Sequence, residues 1–195
     1  MNPVYFATTN KGKVSTVRQI LSQHSIEVIH EPMSIAEPRT EELTVIAEQK
    51  VLAAFEKINK PVIAQDSGFY IHALNGFPKA FVNFATETIG IEGFLKLVEG
   101  KDRACEFRNC LAFYDGKLEK PKTFLSTIPG TLAEEKRGSL RDDAWGELWL
   151  IFIPAGQTKT LAEMSKQEIV DLRDHLHTNS YLAEFAKWYK EYNPD

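Results

Sequence analysis

Apolar residues recur along the chain with two different periods. Val4-Tyr5-Phe6-Ala7 is a short continuous apolar run, the mark of a buried strand. After it Val14, Val17, Ile20 and Leu21 return every three or four residues and predict a helix. Ile26 to Ile29 predicts a second strand, and Glu31 to Arg39, which contains Pro32 and Pro38, a loop. From Glu41 to Ile58 the spacing of Leu43, Ile46, Ala47, Lys50-Val51, Ala54, Phe55 and Ile58 is again helical. Val62-Ile63-Ala64 predicts a third buried strand, broken abruptly by Gln65-Asp66-Ser67-Gly68. Phe69 to Leu74 alternates as a further strand, and Asn75-Gly76-Phe77-Pro78 turns it. Strand–helix–strand–helix–strand is the order of an α/β protein.

The second half is richer in strands. Ile89 to Val98 predicts a short helix, with Gly100 as its stop. Cys105 to Tyr114 and Lys117 to Thr127 flank Asp115-Gly116, the signature of a β-hairpin. Pro129 to Asp143 is polar and predicts a loop, and Leu148 to Ile153 an apolar strand stopped by Pro154-Ala155-Gly156. Ser165 and Glu168 have capping-box spacing ahead of a last helix, which carries Ile169, Leu172, Leu176, Leu182, Phe185 and Trp188. Trp188, Tyr189 and Tyr192 read as a core or dimer seam rather than a ligand cage. Neither repeats nor low-complexity segments interrupt the chain.

Composition narrows the class. At 195 residues the chain fits one domain spanning 1–195, with room for two lobes and a sizeable core. A net charge of −4 excludes a general nucleic-acid footprint and a polybasic membrane-binding segment. No apolar run reaches the roughly 18 residues of a membrane span, and the N-terminus carries no secretory pattern. Cys105 and Cys110, five apart, form neither a redox pair nor a zinc half-site. On a strand they would face opposite sides, so no mutual disulfide is expected, and a reducing, cytoplasmic setting fits.

Two stretches carry candidate chemistry. Thr8-Thr9-Asn10-Lys11-Gly12-Lys13 joins a buried strand to a helix N-terminus. Free amides and the positive helix end can there face an anion, with hydroxyls and an ammonium beside them. It is not a P-loop, and a capped helix with solvent lysines is the other reading of the same residues. Asp66 leaves a buried strand into Ser67-Gly68, where it either caps a turn or meets a ligand.

With these residues in hand the chain resembles the inosine/xanthosine triphosphate pyrophosphatase family, which cleaves damaged or deaminated purine nucleoside triphosphates to monophosphate and pyrophosphate. Thr8 to Lys13 matches its T-x-N-x-x-K phosphate loop, and Val62 to Leu74 its strand with D-S-G. Asn75-Gly76-Phe77-Pro78, Glu87-Thr88-Ile89-Gly90, Ile151-Phe152-Ile153-Pro154 and Ala162-Glu163-Met164 extend the likeness over almost the full length. The resemblance implies an elongated mixed central sheet flanked by helices, two lobes with a cleft between them, and a homodimer. It also implies a nucleoside triphosphate substrate and Mg2+. Thr8, Thr9, Asn10 and Lys13 would hold the triphosphate, and Ser67 with Gly68 would touch its phosphates. Asp66 would be the general base or a magnesium ligand, since magnesium takes oxygen ligands.

Departures from the family pattern leave a second reading open, that of a catalytically impaired nucleotide-binding relative. The family's metal glutamate falls by spacing on Val45, so Glu42 or Glu41, one helical turn earlier, or Glu48, three later, would supply the carboxylate. Equally, these are solvated charges. Thr16 and Lys79 stand where the family has glutamate and glycine. Gly146-Glu147-Leu148-Trp149 replaces the family's base-stacking segment, leaving Trp145 or Trp149 as a stacking plate, which a modified pyrimidine would also suit. Arg173-Asp174-His175-Leu176-His177 holds no Ser-His-Arg, and His175 and His177 read as helix or surface residues.

Overall fold

The structure is a computed structural model that describes residues 3–177 and 180–193, the side chains of 173–177 excepted. Arg173, His175 and His177 lie outside the described side chains. In chain order the elements are β1 (Val4–Ala7), α1 (Lys11–Gln23), β2 (Val28–Glu31), α2 (Leu43–Ile58), β3 (Val62–Ile71), β4 (Pro78–Lys79) and α3 (Val82–Leu97). They continue as β5 (Ala104–Tyr114), β6 (Lys122–Leu132), β7 (Phe152–Pro154), α4 (Lys166–His177) and α5 (Tyr181–Tyr192). The strands form one mixed seven-stranded sheet in the order β2-β1-β3-β5-β6-β7, with β4 added alongside β3. β1 runs parallel to both β2 and β3, whereas β4 is antiparallel to β3 and β7 to β6.

The chain divides into two compact units, 1–66 with 109–126 and 177–195, and 67–108 with 127–176. In the first, Val14, Val17, Ile20 and Leu21 of α1 pack with Val4 and Phe6 of β1, and Phe113, Phe124, Phe185 and Tyr189 close the same core. Trp188 and Tyr192 lie against it with their rings stacked 4.8 Å apart, as a core seam would have them. Tyr192 donates its hydroxyl hydrogen to Asp115, which also caps the turn after β5. In the second, Phe69, Phe107 and Phe152 meet edge-on or tilted around a core that includes Ile91, Phe94, Leu132 and Ile151.

Several expectations are corrected. Gln65-Asp66-Ser67-Gly68 does not break its strand: β3 runs unbroken through ten residues. Pairing with neighbouring strands outweighs the local turn preference, and Gly68 leaves room for the Lys79 carbonyl of β4, which a Cβ would meet at 2.8 Å. α2 starts at Leu43 with Glu42 in the extended N-cap position, so Glu41 and Glu42 precede the helix instead of lying on its first turn. α3 starts earlier than the predicted Ile89, as two helical pieces joined at Gly90, whose φ of +64° suits glycine. Residues up to Leu132 remain in β6 despite Pro129, whose free carbonyl accepts from the Ala155 amide. Leu148 belongs to a single turn of 3-10 helix, Glu147–Leu150, and the strand is confined to Phe152–Pro154. The last helix is in fact two, each capped by a serine: Ser165 and Glu168 form the predicted reciprocal box, and Ser180 caps α5. Cys105 and Cys110 are buried and free, as their spacing predicts.

Candidate active site

The chain leaves β1 at Thr8 and enters α1 three residues later. Asn10 is the N-cap, its Oδ1 accepting from the Lys13 amide at 3.0 Å, and its own N–H donates to Thr8 Oγ1 at 3.1 Å. Thr9 is exposed between them. Asparagine at this position satisfies one of the four helix-end amides and leaves others to face outward. Gly12 is buried under the first turn, where its carbonyl accepts from the Thr16 hydroxyl.

A compact group of charges lies beside this turn in the same unit. Asp66 on β3 is 7% exposed. Lys50 on α2 reaches its Oδ1 at 3.1 Å and Glu37 Oε1 at 2.7 Å, so one ammonium bridges two carboxylates. Burial pushes the Asp66 carboxyl upward, against the pull of Lys13 and Lys50. Burial alone would depress Lys50, but Asp66 and Glu37 outweigh it and hold the ammonium above its ordinary value. Lys13 is different. Its ammonium makes no hydrogen bond or ion pair among the described residues, and desolvation lowers its pKa to about 8 despite the field of Asp66. A desolvated cation without a direct partner there, at a helix N-terminus, is poised for an incoming anion.

Glu37 and Lys50 are the residues that pattern reading missed. Glu37 sits in the proline-flanked loop, with no periodicity to mark it. Lys50 did leave a signal, since it shares the apolar stripe of Ile46, Ala47, Val51 and Ala54, and a lysine there needs a buried partner.

The other candidates lie elsewhere. Val45 is exposed, as are Glu41 and Glu42, while Glu48 is half-buried and its charge, with that of Asp66, reaches the Cys110 thiol. Ser67 is half-buried and Gly68 buried, both on the portion of β3 in the second unit. Trp149, 5% exposed, packs with Ala162, Met164 and Ile169 beneath the Arg141 guanidinium, whose carbon lies 5.7 Å from the ring centre. It is a core residue. Trp145 packs on the same cluster and stays half-buried. Both thiols are pushed up to about 12 by burial, which leaves them protonated and unreactive.

Residues 4–174 match the sequence profile of the Ham1 family. The chain belongs to the Ham1 family. Among relatives of this Ham1 chain, one from Methanopyrus kandleri named dITP/XTP pyrophosphatase is 38% identical over 96% of both chains. Another of that name from Saccharolobus solfataricus is 36% identical over 95% of this chain and 92% of its own. The Staphylococcus aureus Ham1 protein superposes with a TM-score of 0.76 at 25% identity, covering 98% of this chain and 100% of that one. A Coxiella burnetii HAM1 structure at 22% identity and TM-score 0.78, covering 98% of this chain and 100% of its own, shares the fold.

Whether the Ham1 residues present suit a divalent ion is a question of donor chemistry. Among the described residues no group of three or more His, Cys, Asp or Glu side chains gathers as a protein-only cage. Asp66 and Glu37 nevertheless converge on one cation, Lys50. A pair of carboxylates with substrate phosphates and water completing the shell is the set magnesium takes, so the donor chemistry fits.

Proposed function

We propose that this Ham1 protein is a hydrolase that cleaves a non-canonical nucleoside triphosphate to the monophosphate and pyrophosphate. The observation that carries this reading is the meeting, in one unit, of an amide-rich helix N-terminus, the desolvated Lys13 ammonium and the Glu37–Lys50–Asp66 bridge. The names of its relatives support the substrate class.

In this reading Thr8, Thr9, Asn10 and the amides opening α1 bind the phosphate chain, and Lys13 neutralises it. Asp66 and Glu37 would hold Mg2+, which supplies charge neutralisation to the phosphates when bound. Glu37, rather than Glu41 or Glu42, is then the second carboxylate. Asp66, raised by burial, is a better proton acceptor than an exposed aspartate and can take the proton of the attacking water. Lys50 orients both carboxylates, and its ammonium pulls the Asp66 carboxyl downward against the effect of burial. The water oxygen forms a bond to the α-phosphorus, the α–β bridging bond breaks, and pyrophosphate leaves.

A homodimer belongs to the same reading, supported by Phe81 and Phe84, 43% and 70% exposed near the start of α3. So does a reducing, cytoplasmic setting, supported by the two free buried thiols. Light scattering measures the first. The activity is tested by incubation with dITP, XTP and the standard triphosphates in the presence of magnesium. Pyrophosphate release from dITP or XTP above the standard set is expected, reduced about a thousandfold in Asp66→Asn. No release from any triphosphate, or full activity in that variant, would overturn the reading.

A further inference from the structure

We infer that His30 is a positioning residue for the phosphate-binding turn, holding the Thr8 carbonyl from the neighbouring strand and thereby fixing the hydroxyl and amides that follow it. The inference rests on the reading of that turn as the triphosphate site. Thr8 is where the chain steps off the β1 ladder, and three separate bonds hold it. Its N–H donates to the Glu31 carbonyl at 3.2 Å, continuing the parallel pairing of Ala7 with Glu31 by one peptide. Its Oγ1 accepts from Asn10. Its carbonyl lies 2.9 Å from His30 Nε2.

The carbonyl has no hydrogen to give, so Nε2 carries the proton and donates. That bond lies outside the sheet ladder. The parallel register sets Phe6 opposite His30, and the side chain then spans from there to the peptide just past the strand end. The connected path runs from His30 through Thr8 and Asn10 to the Lys13 amide. Every member of it lies in the first unit.

An anion-binding turn works through amides aimed in advance, because amides that must reorient on binding lose much of their attraction. Without the His30 donor the Thr8–Thr9 peptide loses the bond on its carbonyl, and Thr8 is held only through its own N–H, in the preceding peptide, and its Oγ1. It can then rotate, carrying the exposed Thr9 and the Asn10 amide with it. The expected signature is weaker ground-state binding of the triphosphate with little change in the chemical step.

The experiment compares His30→Gln, His30→Asn and His30→Phe with the parent protein, using dITP and magnesium. Glutamine can place an amide N–H where Nε2 stands, asparagine is a methylene too short, and phenylalanine keeps the ring without a donor. For His30→Phe and His30→Asn a rise in KM of about tenfold is expected, with kcat within about twofold. His30→Gln should remain within about threefold of the parent in KM. Competitive inhibition by inorganic triphosphate should weaken in step with KM, since it has no base. If His30→Phe does not fold, the Gln-to-Asn comparison decides. Parental KM in His30→Phe or His30→Asn alongside a raised KM in Lys13→Met overturns the inference alone. So does a His30→Gln variant as impaired as His30→Asn. Parental KM in Lys13→Met removes the phosphate turn itself, and the inference falls with it.

Discussion

Lys50 stands on the buried stripe of α2 and sets its ammonium 3.1 Å from the Asp66 carboxylate, an ion pair whose side chains are 15% and 9% exposed. Two desolvated charges that need one another make this pair a source of both function and fragility. Removing the lysine is the more damaging change. Lys50→Met leaves a buried carboxylate facing only the distal Lys13, and a loss of roughly 3 kcal/mol of stability is expected from urea unfolding. Since the Lys50 ammonium is held above its ordinary value, its contribution is complete below the unfolded pKa and fades as pH rises through the folded one. Adding Asp66→Asn to Lys50→Met should recover much of the loss, and strict additivity of the two changes would refute the coupling.

Asp66→Asn alone should act in the opposite sense on activity and stability. The asparagine oxygen still accepts from Lys50, while the cost of burying a charge disappears. The carboxyl is raised in the fold by burial, so its favourable contribution exists below the unfolded pKa and is lost as pH climbs through the folded value. At neutral pH the variant is therefore expected to melt no lower than the parent, with any advantage vanishing in acid. Thermal melts across that range test this, and a lower Tm for the variant at pH 7 would sink it.

The phosphate-neutralising role proposed for Lys13 sets a pH limit on substrate binding. Its ammonium, with a pKa of about 8, is charged below that pH and neutral above it, so KM for the triphosphate should climb as pH rises past about 8. The stability effect runs the other way. A lysine depressed in the fold gains the protein stability as pH rises from about 8 toward its ordinary value of 10.5, and costs it below. Lys13→Met should consequently bind triphosphate poorly yet unfold at higher urea at neutral pH, by up to roughly 3 kcal/mol. A pH-independent KM in the parent would contradict the assignment.

Where β4 meets β3, two positions both favour glycine, so a substitution that removes a side chain and one that adds a methyl group should shift stability with opposite signs. Lys79 holds a φ of +57°, and Lys79→Gly should raise stability by ~0.5–1 kcal/mol. Gly68→Ala brings a Cβ to 2.8 Å from both the Lys79 carbonyl oxygen and Tyr70 Cε2, and should lower stability by ~1–3 kcal/mol. Calorimetry of the two variants is sufficient, and equal signs would refute the packing argument.

Much of this arrangement is legible in the sequence because it is local. The apolar run of β1, the Asn10 cap and the stripe of α1 follow one another without a gap, so the capped turn proposed to hold phosphate can be read directly. Asp66 stands out as a carboxylate inside an apolar run. That β3 continues through it cannot be read there, since the pairing of Phe69 with Lys79 comes from a turn further on. Glu37 is invisible for a related reason: its loop has no period, and only the fold brings it to Lys50, 13 positions further along. Lys50 lies between these cases, legible as an anomaly in the stripe but not as to which acids answer it. The tryptophans mislead because Trp149 is apolar enough to be drawn into the core under Arg141.

That burial gives the molecule a built-in optical partition. Of its 3 tryptophans, Trp188 lies in the first unit and Trp145 and Trp149 in the second. Trp188 rests on Tyr192 and Phe113, whereas Trp149 sits under a guanidinium. Fluorescence from a protein carrying only Trp188 therefore follows the melting of the half that holds Lys13 and Asp66, and emission from the other pair follows the rest. Whether the two halves come apart together or in turn is read by comparing the two melting curves.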